Sequence, residues 1–334
     1  MFFPFSIFVD IKTKAETVLG VGIISYNTAD LLRQCLQSLI ETNHVPHEHI
    51  VVVDSCSTDT THEMMHKEYP SITLHILKEN KGYACAVNVA ASLLDSEYML
   101  LINADTRFLP DSIRLLVHSA QTLPDGGVWG MQQLYHDYSW QRSYGSFPSL
   151  KHTFADGLFL VTLYRKWLAL RHTFLRPTKP FPVQYVDGAV MLIRKSVFDE
   201  LHGFDERYFF YGEETDFCRR VQAQAHRKCY IVPTTTVIHY RGKSSQNSGG
   251  ANEFYLKNLF SGMLRCASQY SSYKTLVKIQ HWEITFAHLK SVLFKLLFLI
   301  TKKDIFHKKY LYYKTSKKIW LSLRPFIDEL CLTQ

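Results

Sequence analysis

Val18-Leu19-Gly20-Val21-Gly22-Ile23-Ile24-Ser25, continued by Thr28 through Glu41 and by His49-Ile50-Val51-Val52-Val53, is the stretch whose reading decides the fold. Residues 18–25 form a short, β-branched apolar run and read as a strand. Thr28 to Glu41 sets Leu31, Leu32, Cys35, Leu36, Leu39 and Ile40 on one helical face, and His49 to Val53 reads as a second buried strand. A strand, a helix and another strand in close succession require a crossover connection, hence a parallel sheet with helices packed on it.

Outward from this unit the rhythm continues. Thr58 to Glu68 reads as a helix, Ile72 to Leu77 as a strand, Tyr83 to Leu94 as a helix and Glu97 to Ile102 as a strand. Asp111, after Pro110, is placed to cap a helix reaching about Thr122. Residues 134–182 lose the pattern, are rich in aromatic, His, Pro and Gly residues, and hold one helix around Leu158 to Phe174; they read as a variable insertion. Regularity returns with a strand over Gln184 to Arg194, helices over Lys195 to Leu201 and Glu214 to Ala225, and strands over Lys228 to Pro233 and Thr235 to Tyr240. A Gly/Ser-rich breaker at Gly242 to Gly250 then divides a body (18–250) from a C-terminal region (251–334), with 1–17 as an N-terminal extension. The expected fold class is α/β: a Rossmann-like, mainly parallel sheet with flanking helices, plus a basic amphipathic helical C-terminal region.

With 46% hydrophobic and 20% charged residues, the 334-residue chain is outside the disordered regime. Its seven cysteines are scattered and form no Cys-x-x-Cys pair, which argues against a disulfide framework or zinc ribbon and for a reducing compartment. No uninterrupted apolar run is long enough to span a bilayer. Met1 to Val9 is short, lacks a basic flank and a cleavage site, and reads as a frayed or surface-packed terminus rather than a signal peptide. The formal charge of +8 is uneven: residues 255–324 carry fourteen Lys or Arg and two acids, leaving 24 basic against 28 acidic residues elsewhere. That asymmetry assigns an anionic partner to the C-terminal region and not to the body.

In a doubly wound sheet, ligands bind beyond the C-terminal ends of the strands. The residues found there are Ser25, Tyr26 and Asn27; Asp54, Ser55 and Ser57; Asn80, Lys81 and Gly82; then Asn103 and Asp105. Singly these are ordinary turn residues, but four polar clusters in succession mark a binding edge. A Gly-x-Gly-x-x-Gly after the first strand and a P-loop are both missing, so a phosphate would be held by other means. The carboxylate of Asp105 suits a divalent Mg²⁺ or Mn²⁺.

Together these residues resemble the inverting glycosyltransferases of family 2, with the GT-A fold, and within them the rhamnosyltransferase-like branch. The resemblance spans about residues 18–245. Its pieces are Ile24-Ser25-Tyr26-Asn27, Val51 through Asp59, Asn80-Lys81-Gly82-Tyr83 through Asn88, Leu101-Ile102-Asn103-Ala104-Asp105, Val186-Asp187-Gly188-Ala189, Gly203-Phe204-Asp205-Glu206, Phe209 through Asp216, and Val237-Ile238-His239-Tyr240. It implies a nucleotide-sugar site made by Ser25, Tyr26, Asn27, Asp54, Asn80, Gly82, Asn88, Asn103 and Asp105. Asp54 would accept from a pyrimidine N3–H, Tyr26 would pack on the base, and Asn80 and Gly82 would border ribose and diphosphate. It further implies Mn²⁺ or Mg²⁺ on Asp105 and His239, although spacing alone reads His239 as an interior histidine. Glu214 would be the general base, with Asp187 the other candidate or a ligand of the acceptor hydroxyl. The sequence departs from the family pattern at Asn103 and Glu214, where relatives carry Asp, and at Ser55, where Asn is common. The implied reaction moves a sugar, with dTDP-L-rhamnose a candidate donor, from a dTDP- or UDP-sugar to a saccharide or lipid-linked saccharide in surface glycoconjugate synthesis. The competing reading is a non-catalytic carbohydrate-binding or scaffold protein on a decayed transferase fold.

The C-terminal region reads separately. His281, His288, Lys295 and Lys302 recur every seven residues with Ser291 between them, and apolar residues fill most of the rest. This is a helix with a narrow polar stripe, flanked by lysines, suited to an anionic bilayer surface. Docking on the catalytic body is the alternative. Nucleic acid is not expected, because the stretch is mostly apolar rather than groove-facing Lys and Arg. The expected location is cytoplasmic, peripheral at the inner face of the membrane.

Overall fold

A computed structural model describes residues 18–174, 177–240 and 253–332. The expected N-terminal extension and the junction at Gly242 to Gly250 lie outside these residues. β1 (Leu19–Ser25), α1 (Ala29–Glu41), β2 (Ile50–Asp54), α2 (Thr61–Glu68), β3 (Thr73–Ile76), α3 (Tyr83–Ser92) and β4 (Tyr98–Asn103) alternate as the sequence predicts. β5 (Thr106–Phe108), α4 (Ser112–Thr122), β6 (Gly126–Leu134), β7 (Tyr144–Gly145), α5 (Leu150–Gly157) and α6 (Leu160–Phe174) come next. β8 (Phe181–Val183), β9 (Tyr185–Val186), β10 (Val190–Arg194), α7 (Lys195–Glu200), α8 (Glu213–Ala223) and β11 (Lys228–His239) complete the body. The helices α9 (Glu253–Ser268), α10 (Tyr273–Thr301), α11 (Asp304–Ser322) and α12 (Arg324–Leu332) follow.

The main sheet has the order β3-β2-β1-β4-β10-β6-β11-β5, with β8 added on β11. Its first half, β3 to β4, is parallel. Its second half is mixed: β10 runs antiparallel to both β4 and β6, and β6 is again parallel to β11. Period-2 alternation sorts the core. Val21, Ile23, Val52, Leu100, Ile102 and Leu192 face α1, α2 and α4 on one side. Ile24, Val51, Val53, Met99, Leu101 and Ile193 face α3, α7 and α8 on the other.

Several elements differ from expectation, each for a local reason. The strand expected over Gln184 to Arg194 breaks at 187–189 into β9 and β10, lifting Asp187 out of the ladder. The two strands expected over Lys228 to Tyr240 are one, β11, with its register shifted between Val232 and Thr236. The helix expected near Leu158 to Phe174 is α6, and the short helix α5 before it is unexpected. Asp111 does not cap α4 with its side chain; it sits in the left-handed region at φ 60, and its carboxylate accepts from Arg114 Nε at 3.1 Å instead.

Helices α9 to α12 have their own core, built on Leu256, Phe260, Leu264, Ile279, Trp320 and Ile327. By length and composition α10 could cross a membrane. It is nevertheless stitched into the fold: Gln280 Nε2 donates to the Trp320 carbonyl at 2.8 Å, and the buried Lys290 pairs with Asp156 at the end of α5 at 3.0 Å. The alternative of a helix docked on the body therefore holds for one side of α10.

Candidate active site

Sheet register brings the first strand ends together: Ser25 lies opposite Asp54, and Ile24 opposite Asn103. The loops after β1 and β2 are then laced by short hydrogen bonds. Asn27, left-handed at φ 52, donates its N–H to Ser57 Oγ at 2.7 Å, and its Oδ1 accepts from the Thr58 N–H at 2.8 Å. Asp54 is fully buried, accepting from the Ser57 N–H at 2.8 Å and Ser57 Oγ at 2.6 Å, with His62 Nε2 at 2.8 Å. Its first task is thus to hold its own loop, so recognition of a base would fall to a remaining lone pair. Tyr26 is 47% exposed, its ring open for stacking.

Two further candidates, Gly82 and Asn88, also hold the framework. Gly82 is buried at φ +96, and a Cβ there would run into the Phe209 carbonyl, which also accepts from the Tyr83 N–H at 2.9 Å. Its freedom is used to press the Asn80–Gly82 turn onto the loop before α8, rather than to leave mobile backbone beside a diphosphate; Asn80 Oδ1 accepts from the Gly82 N–H at 3.0 Å. Asn88 pairs both amide ends with the Phe204 backbone, at 2.8 and 2.9 Å, and donates to Glu206. It clamps α3 to the Gly203–Glu206 turn.

Asp105, just after β4, and His239, at the end of β11, meet. His239 Nε2 lies 3.4 Å from Asp105 Oδ1, both side chains being buried. The other ring nitrogen, Nδ1, lies 2.8 Å from Gln141 Oε1 and 3.1 Å from Gln133 Oε1. Those amides are oriented by their NH₂ groups: Gln141 Nε2 donates to the His239 carbonyl at 3.0 Å, and Gln133 Nε2 to Asp187 Oδ1 at 3.3 Å. In the neutral ring, Nδ1 therefore carries the proton and Nε2 turns a lone pair toward a carboxylate. Two acceptors facing each other suit a cation between them, and the Nδ1–H to amide-oxygen bond is the outer support that ligating histidines have. Asn103 Oδ1, at the end of β4, is buried without a partner. One carboxylate and one imidazole fit Mn²⁺, or Mg²⁺ with less nitrogen affinity. Among the described residues no three His, Cys, Asp or Glu cluster as a complete metal cage, so the remaining ligands would be water or diphosphate oxygens.

Opposite stands the acid group. Tyr211 at φ 71 and Gly212 at φ 99 turn the chain sharply into α8, whose first turn carries Glu213, Glu214 and Asp216. Glu214 Oε2 accepts from the Gly212 N–H and Oε1 from Thr215 Oγ1, both at 3.2 Å. Gly188 backs directly on its side chain, a Cβ there lying 3.5 Å from Glu214 Cβ. Burial, and after it the Asp187 charge, holds the Glu214 carboxyl above the usual carboxylate range. Burial and then Glu214 push Glu213 well above it. Asp216 belongs to the framework: wholly buried, it accepts from Arg220 Nε at 2.8 Å and Tyr208 at 3.2 Å, and from Gln269.

Tyr83, Gln133 and Gln141 join the two halves, and sequence reasoning gave none of them a role. Tyr83 donates to the Gly188 carbonyl at 3.1 Å, and its hydroxyl is held well above its ordinary pKa by burial and then by Glu213, Glu214, Asp187 and Asp105. It lay inside the quoted Asn80–Asn88 motif. The two glutamines lay outside every motif and carry no sequence signal.

The fold and the acid-lined strand ends define a glycosyltransferase of GT-A architecture. Residues 20–202 match the sequence profile of glycosyl transferase family 2, and residues 170–243 that of the N-terminal domain of galactosyltransferase. The chain belongs to glycosyl transferase family 2. It is 29% identical over 245 residues to the N-acetylglucosaminyl-diphospho-decaprenol L-rhamnosyltransferase of Mycobacterium tuberculosis, covering 68% of this chain and 78% of that one. Rhamnosyltransferase WbbL of Escherichia coli K12 is 34% identical over 84 residues, 25% of this chain and 31% of its own. The solved mannosyltransferase PcManGT from Pyrobaculum calidifontis, in complex with GDP-Man and Mn²⁺, superposes with a TM-score of 0.55 at 14% identity over 93% of this chain and 88% of its own. GalNAc-T7, solved with UDP, GalNAc and Mn²⁺, gives 0.53 at 14% identity over 76% and 52%. At such identity the two structures bear on fold alone.

Proposed function

We propose that the chain transfers L-rhamnose from dTDP-L-rhamnose, with inversion and with a divalent cation, to a lipid-linked saccharide at the cytoplasmic face of a membrane. The observation that carries this is the continuous chain Asp105–His239–Gln133–Asp187 running from a cation-suited pair to the acid that adjoins Glu214. The likeness to an L-rhamnosyltransferase acting on a decaprenol-linked sugar supports the choice of donor and acceptor.

In the proposed reaction the acceptor hydroxyl oxygen attacks the anomeric carbon, its proton passes to Glu214, and the bond from that carbon to the diphosphate oxygen breaks. A raised pKa suits Glu214 to this task, because a base stronger than an ordinary carboxylate takes the proton more readily. Asp187 makes Glu214 a stronger base through its negative charge and, through Gln133, fixes the ring of His239. Asp105 and His239 would hold Mn²⁺ or Mg²⁺. Bound there, the cation supplies positive charge opposite the departing dTDP. Tyr26 would stack on the thymine.

The test is dTDP release from dTDP-L-rhamnose in the presence of Mn²⁺ and a GlcNAc-diphospholipid analogue. Release is expected only with acceptor and cation together, and Glu214→Gln should lower it by about 10² to 10⁴ while donor affinity stays within a few fold. Failure of dTDP-, UDP- and GDP-sugars alike to turn over would leave a carbohydrate-binding protein on a transferase fold.

A further inference from the structure

Helix α6, within the stretch that the sequence reads as a variable insertion, is held by little of its own surface. Leu168 is buried, as is His172, which stacks on Trp140 at 5.0 Å. Leu160, Leu163, Tyr164 and Trp167 recur at i, i+3, i+4 and i+7 and are 51–59% exposed, with Tyr164 and Trp167 stacked at 5.7 Å. In the C-terminal half of α10, Leu289, Leu293, Leu296 and Ile300 recur at i, i+4, i+7 and i+11 and are 43–78% exposed. The chain enters α6 beside α10: Phe159, just before α6, packs on Phe294 at 6.2 Å, and Lys290 Nζ lies 4.8 Å from the centre of the Phe159 ring. The exposed rows of α6 and α10 thus start from one shared junction at Phe159 and Phe294.

We propose that α6 and the C-terminal half of α10 form a single lipid-facing surface that seats the enzyme on an anionic bilayer. Soluble proteins rarely leave contiguous apolar patches of this extent uncovered, and the charge around this one selects its occupant. The sequence contains no Asp or Glu from Gly157 to Val186, nor from Ile284 to Lys303. Asp156, the acid nearest that junction, is paired with Lys290. Cations flank the apolar residues: Arg171 lies over the Trp167 ring at 5.5 Å, Lys309 over Phe294 at 5.0 Å, and Lys295 is exposed on the flank of α10. A second copy of this surface would bring like charge against like, whereas anionic headgroups complement it. Paired Trp and Tyr beside Arg and Lys are the side chains that settle at the headgroup boundary, apolar ring inward and polar tip outward. The inference deepens the functional reading above, since it says where a lipid-linked acceptor is met, but lipid binding itself requires no catalysis.

The test uses the full chain with vesicles of equal parts phosphatidylcholine and phosphatidylglycerol. L163S/W167S in α6 and L293S/I300S in α10 should each weaken sedimentation with the vesicles about tenfold or more, leaving the melting temperature and turnover of a water-soluble acceptor analogue in place. In the unaltered protein, brominated lipid should quench tryptophan fluorescence, and Trp167→Phe should remove most of that quenching. This second measurement stands even if a double variant fails to fold. An α6 variant that pellets as well as the parent, or the absence of Trp167 quenching, would overturn the shared surface. So would a dimer that dissociates on the same substitutions, which would make the face a contact between copies. Vesicle binding without any transferase activity would leave the surface standing and remove the functional reading instead.

Discussion

Glu214 is held by opposing forces. The N-terminus of α8, the Gly212 N–H and Thr215 Oγ1 favour its charged form, whereas burial and the Asp187 charge oppose it, and the opposition prevails. As a base Glu214 must be unprotonated, so kcat/KM should fall on the acid side with a midpoint above the roughly 4.3 of an unperturbed glutamate. Asp187→Asn removes part of the cause and should move that limb to lower pH with activity retained. If Asp187→Asn instead abolishes turnover while Glu214→Gln does not, the two acids have exchanged roles. Stability follows the same sign: the folded protein holds this proton more tightly than the unfolded chain. The acid is therefore least costly below the ordinary glutamate range, and stability is lost as pH rises through the raised value. Glu214→Gln should accordingly raise the Tm at pH 7 while reducing turnover; a lower Tm would show that its hydrogen bonds outweigh its desolvation. On the metal side, Gln133→Ala removes one acceptor from His239 Nδ1 and the donor to Asp187, and should weaken Mn²⁺ affinity measured by calorimetry about tenfold. An unchanged affinity would separate His239 from the cation.

At the level of elements, what could be read from the sequence followed the range of the interactions. β1, α1, β2, α3 and β4 were legible because each buries apolar residues at a local period, and their parallel pairing follows from short crossovers. β6 was not: Gly126-Gly127-Val128-Trp129-Gly130-Met131-Gln132-Gln133 resembles a loop until Val186 is seen occupying the space where a Gly130 side chain would be. The insertion of β10 between β4 and β6 is a long-range antiparallel choice that no local pattern encodes. The site divides in the same way. Asp105, Asp187, Glu214 and His239 fall in quoted motifs, while Gln133 and Gln141 acquire meaning only when β6 lies beside β11. Another long-range contact supports the acid turn from outside the body. Gly262 of α9 lies against the Tyr211 carbonyl, so closely that a Cβ would displace it. Gly262→Ala should therefore push α9 away from the left-handed turn that aims Glu214, lowering turnover more than donor affinity. Equal losses in both would indicate general loosening instead.

Taken whole, the molecule joins a catalytic body to a helical module that is not a mere appendage. Phe209 packs edge-on to Phe254 at 5.9 Å, Arg219 lies 3.8 Å from the centre of the Tyr270 ring, and Gln269 donates to the buried Asp216 of α8. On the other flank Phe154 of α5 meets Trp282 of α10 at 4.5 Å. Were the module only an anchor, a chain ending near Gly250 would stay soluble and lose activity chiefly on lipid-linked acceptor; were it docked on the body, the same chain would fold poorly. These contacts belong to the second case. Removing residues 253–332 uncovers Phe154 and Phe209, strips Asp216 of one donor and takes Gly262 from behind the Tyr211–Gly212 turn. The truncated chain should melt at a lower temperature and lose at least about tenfold in turnover of a water-soluble acceptor, because an apolar interface left open and a displaced base each cost on that scale. The measurement is a Tm and a kcat on the soluble analogue, compared with the full chain in the absence of membranes. Equal values in both would show that the module has no part in the geometry of the site; a loss without any membrane present would show that it helps to hold Glu214 in place.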